Sequence, residues 1–196
     1  YIQNYITEFL KIKGASYKEE RNFPAIDATA KLSPYINAGI VSSKWCLVKA
    51  KELNNDMLDN GDKGIVHWFS EILWREFYRH IIYNFPKVSK NLPFIDYTKN
   101  IPWNEDSVAL QRWKDGKTGI PIVDAGIREM LATGWMHNRL RMIVAMFLSK
   151  NLLINWQKGE KFFMTKLIDG DIASNNGGWQ WSASTGTDAA PYFRIM

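Results

Sequence analysis

The sequence predicts an all-α fold, and three observations carry that reading. Apolar residues recur at helical spacing almost throughout, no alternating run makes a convincing strand, and nothing repeats internally. Ile2–Lys13 reads as a short helix, followed over residues 14–32 by a polar loop containing Pro24. Ser33-Pro34 reads as an N-cap with Pro at the first helical position, opening a second helix. Ser42 or Ser43 caps the next, which runs to about Leu53, and residues 54–64 form a polar, acidic loop. A long helix then covers about residues 64–83 and is stopped by Pro86. Residues 84–103 hold three prolines and read as an extended connection. Asn104 is placed to cap a helix ending at Gly116, and Pro121 opens one ending near Gly134. Two more cover residues 137–152 and 157–167. The polar, Gly-rich stretch 169–181 reads as a loop. No Gly/Ser linker divides the chain, so one domain over 1–196 is expected.

Composition narrows the class. With 46% hydrophobic and 23% charged residues, a disordered or collagen-like chain is excluded. Nine Trp beside eight Tyr and ten Phe exceed what a core needs, so some aromatics have another task. The lone Cys46 excludes an intrachain disulfide framework and a cysteine-built zinc site, and fits a reducing compartment. No apolar run approaches the roughly 20 residues that span a bilayer, and no targeting signal opens the chain. The formal net charge is +5, and residues 128–196 carry eight basic against five acidic groups. That balance suits either a polyanion partner or a plainly solvated basic surface. The sequence starts at Tyr1 without an initiator Met and stops at Met196 without a tail, as a piece of a longer protein would.

Two helices carry faces that core packing does not explain. On the long helix, Val66, Phe69, Leu73 and Phe77 form the expected buried stripe. Glu71, Trp74, Arg75 and Tyr78 share a neighbouring face at i, i+3, i+4 and i+7. On the helix over 137–152, Leu140, Ile143, Val144, Phe147 and Leu148 form the stripe, with Asn138, Arg141, Met142 and Ala145 roughly opposite. Either these are solvated faces, with an intrahelical Glu71–Arg75 pair, or they are functional surfaces. The stretch 169–181 places two carboxylates two residues apart, then Asn175-Asn176-Gly177-Gly178, then two Trp flanking Gln180. Polar groups in such a loop need partners. No ladder of acidic ligands follows Asp169 and Asp171 and no His is near, so no metal site is expected. His137 is read as structural. Neither a Walker loop nor a Gly-x-Ser-x-Gly elbow is present.

These residues resemble a known family. Trp74-Arg-Glu-Phe-Tyr-Arg79, Gly119-Ile-Pro-Ile-Val-Asp124 and Gly134-Trp-Met-His-Asn-Arg-Leu-Arg141 look like the DNA photolyase/cryptochrome family. So do Asp169-Gly170-Asp171, Asn175-Asn-Gly-Gly-Trp-Gln-Trp181 and Gly186-Thr-Asp-Ala-Ala-Pro-Tyr-Phe-Arg194. The likeness covers essentially the whole chain and is nearest the bacterial class I cyclobutane pyrimidine dimer branch. It implies a helical FAD-binding domain truncated at both ends. The N-terminal α/β antenna domain, with its folate or deazaflavin chromophore, and the final C-terminal helices would lie outside it.

The resemblance also implies roles. Tyr17 and the stretch Thr29, Ala30, Lys31, Leu32 and Ser33 would line the FAD phosphates, with Trp68 and Arg75 on the long helix. Asn138, Arg141, Asp169, Gly170 and Asp171 would surround the flavin and adenosine portions, and Asn175 would face flavin N5. The family usually reads Thr-Ser-Arg-Leu-Ser where this chain has Thr29-Ala30-Lys31-Leu32-Ser33, so one hydroxyl ligand is lost at Ala30. Trp179, Trp156 and Trp103 fall where the family places its electron-hopping triad, from innermost to outermost. Trp74 and Trp181 would stack on a flipped pyrimidine dimer, with Glu71, Arg75, Tyr78, Asn138 and Met142 around it. Arg21, Arg139 and Arg194 would neutralise DNA phosphates.

The implied activity is light-driven repair of cyclobutane pyrimidine dimers in DNA, a lyase reaction that needs no metal or membrane. A monomer in the bacterial cytoplasm is expected. A six-four photolyase would carry a His pair where this chain reads Met136-His137-Asn138, which disfavours that branch. The leading alternative is a cryptochrome-type blue-light photoreceptor that signals without repair, and a flavin-free helical DNA-binding module is the third reading.

Overall fold

Caps and breakers set the helix ends. The computed structural model of the chain describes residues 1–188; the expected phosphate contact of Arg194 lies outside them. The described residues form α-helices joined by 3-10 turns and loops, with no β-sheet, so the all-α class holds. They divide into two compact units, Tyr1–Phe77 and the described residues from Tyr78 onward.

The first unit comprises α1 (Ile2–Lys13), α2 (Tyr17–Glu20), α3 (Ser33–Asn37), α4 (Ser43–Leu53) and the first part of α5 (Lys63–Asn84). Ser42 caps α4, its side chain accepting from the Trp45 N–H at 3.1 Å. Ser33 is not a cap. It is the first residue of α3 and Leu32 precedes it, because Pro at the next position suits the first turn equally well. The α2 turn interrupts the loop expected over 14–32. Asp62 Oδ1 accepts from the N–H groups of Gly64 and Ile65 and so starts α5. Ile6, Phe9, Leu10, Tyr17, Cys46, Ala50, Ile65, Trp68, Phe69 and Ile72 make the core. Each large side chain buried this way contributes about 1.5–3 kcal/mol. The expected α5 stripe is corrected here. Only Phe69 of the four is buried, and the core face is Ile65, Trp68, Phe69 and Ile72. Leu73 and Phe77 are exposed by 53% and 38%. α5 is apolar on more than one side, so periodicity alone does not fix its phase.

The second unit takes up the rest of α5, then α6 (Ser107–Lys114), α7 (Pro121–Thr133), α8 (Asn138–Met146), α9 (Trp156–Lys166) and α10 (Ile172–Ala183). Two 3-10 turns, Val88–Lys90 and Asp96–Asn100, break the connection expected to be extended. Asn104 does not cap α6. Asp106 does, accepting from the N–H groups of Val108 and Ala109, while Asn104 pairs with Ile154 in an isolated parallel bridge. Gly134, in the left-handed region at φ +71, ends α7 as expected. α8 stops at Met146 and continues as a π turn, Phe147–Asn151. Ala145, expected on the polar side of α8, is buried with Val144 and Met146.

The largest correction concerns residues 169–181. They are not a loop: Ile172–Ala183 is helical, capped by Asp171, whose Oδ2 accepts from the Ser174 N–H and hydroxyl at 3.0 and 2.7 Å. The polar residues that argued against packing are themselves packed. Gln180, 2% exposed, accepts from the Phe94 N–H at 2.7 Å and donates to Asn176 Oδ1 at 2.7 Å. Buried amides are tolerated when bonded in this way.

Candidate functional site

Each unit holds part of the predicted residue set. In the second unit, α10 presents Asp171, Asn175 and Gly178 at i, i+4 and i+7, hence on one face. The cap fixes Asp171, and Arg79 approaches its Oδ1 at 3.9 Å. Asn175 Nδ2 donates to the Glu160 backbone carbonyl at 3.1 Å and to Glu160 Oε1 at 3.0 Å. Burial pushes the Glu160 carboxyl up, and the Asn175 hydrogen bond partly offsets this.

The two glycines of this helix differ. A Cβ at Gly177 would overlap the Tyr78 ring, whereas a Cβ at Gly178 would meet nothing within 4 Å. Glycine inside a helix costs about 1 kcal/mol relative to alanine. No packing among the described residues explains that cost at Gly178, so its bare backbone is suited to a flat group lying against α10. Close by in sequence, Asp169 is wholly buried at its side chain and accepts from Arg141 Nη2 at 2.8 Å. Arg141 Nε donates to the Met136 carbonyl at 2.8 Å, so the guanidinium is held at two points. The open backbone at Gly178 and the acceptor-bearing Asn175, on one face of α10, fit a flat hydrogen-bonding group such as a flavin.

His137 caps α8, its Nδ1 accepting from the Arg139 N–H at 3.1 Å, which confirms a structural use. Asn138 is exposed, and Met142 is half-buried with Arg139 Nη1 3.5 Å from its sulfur. Trp156 and Trp179 are each 2% exposed in the core of this unit, and Trp103, partly buried, packs against the same cluster. Trp181 is half-buried, as are Tyr78 and Gly170.

In the first unit, Arg21 and Glu71 form an ion pair, and the Arg21 guanidinium lies 5.4 Å from the Tyr17 ring centre. The Glu71–Arg75 pair expected along α5 does not form. Arg75 Nη1 instead meets Glu76 Oε1 at 3.1 Å, which also accepts from the Ser43 hydroxyl. Glu71 pairs instead with Arg21, which is only 5% exposed. That burial departs from the expectation of Arg21 as a phosphate ligand, because its charge is already answered inside the unit. Trp74 is 51% exposed and meets Phe77 edge to face at 5.3 Å. Tyr17, Ala30, Leu32 and Trp68 are buried, Thr29 half-buried and Ser33 exposed. Lys31, also exposed, sits in the left-handed region at φ +47 and reaches Asp27 at 3.0 Å.

Sequence reasoning missed several residues. Glu160 carried a usable signal, a carboxylate on the apolar face that Trp156 and Phe163 define at helical spacing. Trp113 lies fully buried beside Trp179 at 6.0 Å between ring centres, its Nε1 donating to the Val144 carbonyl. Gly178 offered no signal at all.

Comparison with known proteins identifies the family. Residues 68–196 match the family described as the FAD binding domain of DNA photolyase. The chain is 50% identical over 191 residues to the deoxyribodipyrimidine photo-lyase of Escherichia coli, covering 97% of this chain and 40% of that protein. It is 53% identical over 180 residues to that of Salmonella typhimurium, covering 92% and 38%. Among solved structures, the bacterial class III photolyase from Agrobacterium tumefaciens superposes with a TM-score of 0.90 at 41% identity, covering 100% of this chain and 40% of that one. The Synechocystis cryptochrome gives 0.86 at 34%, covering 99% and 41%. The chain thus spans about 40% of the length of the relatives it matches.

Proposed function

The chain belongs to the family of DNA photolyase FAD-binding domains, and from that premise we propose that it serves light-driven repair of cyclobutane pyrimidine dimers in DNA. The observation that carries the reading is the α10 face, where Gly178 leaves backbone uncovered between Asn175 and the helix end. Reduced FAD bound there would supply, on excitation by blue light, the electron that opens the cyclobutane ring and would take it back afterwards.

The chain's own residues hold and orient. Arg141 and Asp169 form a charged wall whose two members neutralise each other, so a flavin beside them meets a fixed dipole and not a net charge. Tyr17 and the stretch Thr29–Ser33 are the phosphate ligands, Ala30 contributing through its backbone N–H. Trp68, Arg75, Asn138, Gly170 and Asp171 complete the FAD set. Photolyases are among the enzymes known to flip their target bases out of the duplex. The half-exposed Trp74 ring, held edge-on by Phe77, is suited to stack on such a dimer, with Trp181, Glu71, Met142, Tyr78 and Asn138 as further contacts. Arg139 is the described phosphate-neutralising cation, and Trp179, Trp156 and Trp103 carry electrons inward to oxidised flavin.

Among the described residues no helix is long and apolar enough to cross a membrane, and no cluster could hold a metal ion. A monomer in the cytoplasm accords with the reading. The likeness to a cryptochrome favours one alternative, a photoreceptor that signals without repair. The test is an oligonucleotide carrying one thymine dimer, mixed with the reduced, FAD-loaded protein. Restoration of the thymines under blue light and not in darkness supports repair; tight FAD binding without restoration supports the photoreceptor.

A further inference from the structure

Asn104 and Ile154 form the one β-bridge among the described residues, and it joins two segments that each carry a tryptophan. Trp103 immediately precedes Asn104, and Trp156 follows Ile154 by two residues. The Asn104 N–H donates to the Leu153 carbonyl at 2.6 Å. Glu105 and Lys158 form an ion pair across the same two segments. Backbones paired in this way lie about 4.8 Å apart, so Trp103 is fixed next to the start of α9.

The α9 side is equally constrained. Leu153 is held in the left-handed region at φ +51, a conformation that non-glycine residues adopt only when their surroundings impose it. Asn155 caps α9, its Oδ1 accepting from the Gln157 N–H at 3.0 Å, which makes Trp156 the first helical residue. One turn on, Gly159 lacks the Cβ that would overlap the Trp179 indole, so that ring presses on the α9 backbone. The first turn of α9 therefore carries Trp156 and takes the Trp179 ring against Gly159, while the bridge ties the residue after Trp103 to the segment just before that turn.

We infer that the Asn104–Ile154 bridge, braced by the Glu105–Lys158 ion pair, is a positioning device that sets the gap between Trp156 and Trp103 for the outermost electron hop. The inference rests on the reading of Trp179, Trp156 and Trp103 as an electron route. In that route bound oxidised FAD would supply, once photoexcited, the acceptor for one electron from Trp179, which Trp156 would refill. Trp103 then gives one electron to oxidised Trp156, which is restored while Trp103 is oxidised. Partly buried Trp103 can release its indole proton to water, and a thiol reductant in solution returns an electron and a proton to it. Electron tunnelling falls steeply with separation, so a loosened bridge slows this last hop and spares the first.

The experiment uses FAD-loaded protein and flash-induced transient absorption. Asn104→Pro deletes the donor N–H of the bridge, and Lys158→Met removes the brace without touching the core. Asn104→Pro is expected to slow oxidation of Trp103 by about an order of magnitude and Lys158→Met by less, with the initial oxidation of Trp179 and the FAD content unchanged. In the FAD-free chain, Lys158→Met should hasten hydrogen exchange at the Asn104 amide. If Asn104→Pro fails to fold, Lys158→Met decides. A last-hop rate equal to the parent's, or equal slowing of every hop, would overturn the proposal. Trp103→Phe is the control that separates the two claims. Photoreduction undiminished in that variant removes the route and the bridge's role together, whereas its loss beside unaltered bridge variants removes the bridge's role alone.

Discussion

Asn175 commits its amide nitrogen to Glu160 twice, to the backbone carbonyl at 3.1 Å and to the carboxylate at 3.0 Å. The oxygen Oδ1 is therefore the atom that remains to accept, and an N–H group such as a protonated flavin N5 is what it suits. Asn175→Ser should bind FAD yet let the reduced cofactor reoxidise faster in air. Glu160→Gln keeps an acceptor for the amide and should match the parent, whereas Glu160→Leu should follow Asn175→Ser. Absorbance after photoreduction reads all three; identical reoxidation throughout would detach this pair from the flavin.

Two buried carboxyls should respond to pH with opposite sign. Burial raises the Glu160 pKa, so its ionisation opposes folding: the penalty is absent below about pH 4, grows through the folded pKa and is complete above it. Asp124 differs. Burial pushes its carboxyl up too, but hydrogen bonds from the Thr118 hydroxyl and N–H and the Gly119 N–H outweigh that and hold it below the usual range. Its stabilisation is present above about pH 4 and is lost as pH falls through the folded pKa. Glu160→Gln should then raise Tm at neutral pH and not in acid. Asp124→Asn should lower stability by about 1–3 kcal/mol at neutral pH and converge with the parent in acid.

The half-exposed Trp74 ring is proposed to stack on the lesion. Trp74→Ala should weaken binding of dimer-containing DNA by about 1–3 kcal/mol, with flavin content unchanged. Equal affinity in variant and parent would remove Trp74 from the site.

Arg139 should act through charge alone. Neutralising it should reduce the salt dependence of DNA binding by about 0.9 in the log–log slope and weaken damaged and undamaged duplexes similarly. A titration against ionic strength checks both; an unchanged slope places Arg139 off the DNA path.

Much of the fold is legible because its signals are local. α1 and α7 follow their apolar spacing and, for α7, Pro121 and Gly134 at its ends. α10 was not legible, because Asn, Gly and Ser weaken a helix in isolation and only tertiary bonds to Phe94, Asn91 and Glu160 make their burial favourable. The site behaved likewise. The aromatic excess and the family strings pointed to Trp74 and Asn175, but the partners Arg21 for Glu71 and Glu160 for Asn175 are separated by 50 and 15 residues. Pairings of that range leave no spacing rule to read.

Adjacent glycines on α10 test whether that helix is the surface that carries the flavin, as proposed. At Gly177 a methyl group strikes Tyr78, so Gly177→Ala should destabilise the FAD-free fold. At Gly178 a methyl group meets no atom of the described residues, so Gly178→Ala should raise FAD-free stability by up to about 1 kcal/mol. The same methyl would intrude on a flavin packed there and weaken FAD binding by about 1–3 kcal/mol. FAD titration of Gly178→Ala, beside its thermal melt, is the decisive measurement. A more stable chain that binds FAD less tightly is the predicted result, and a more stable chain with the parent's FAD affinity would contradict the assignment.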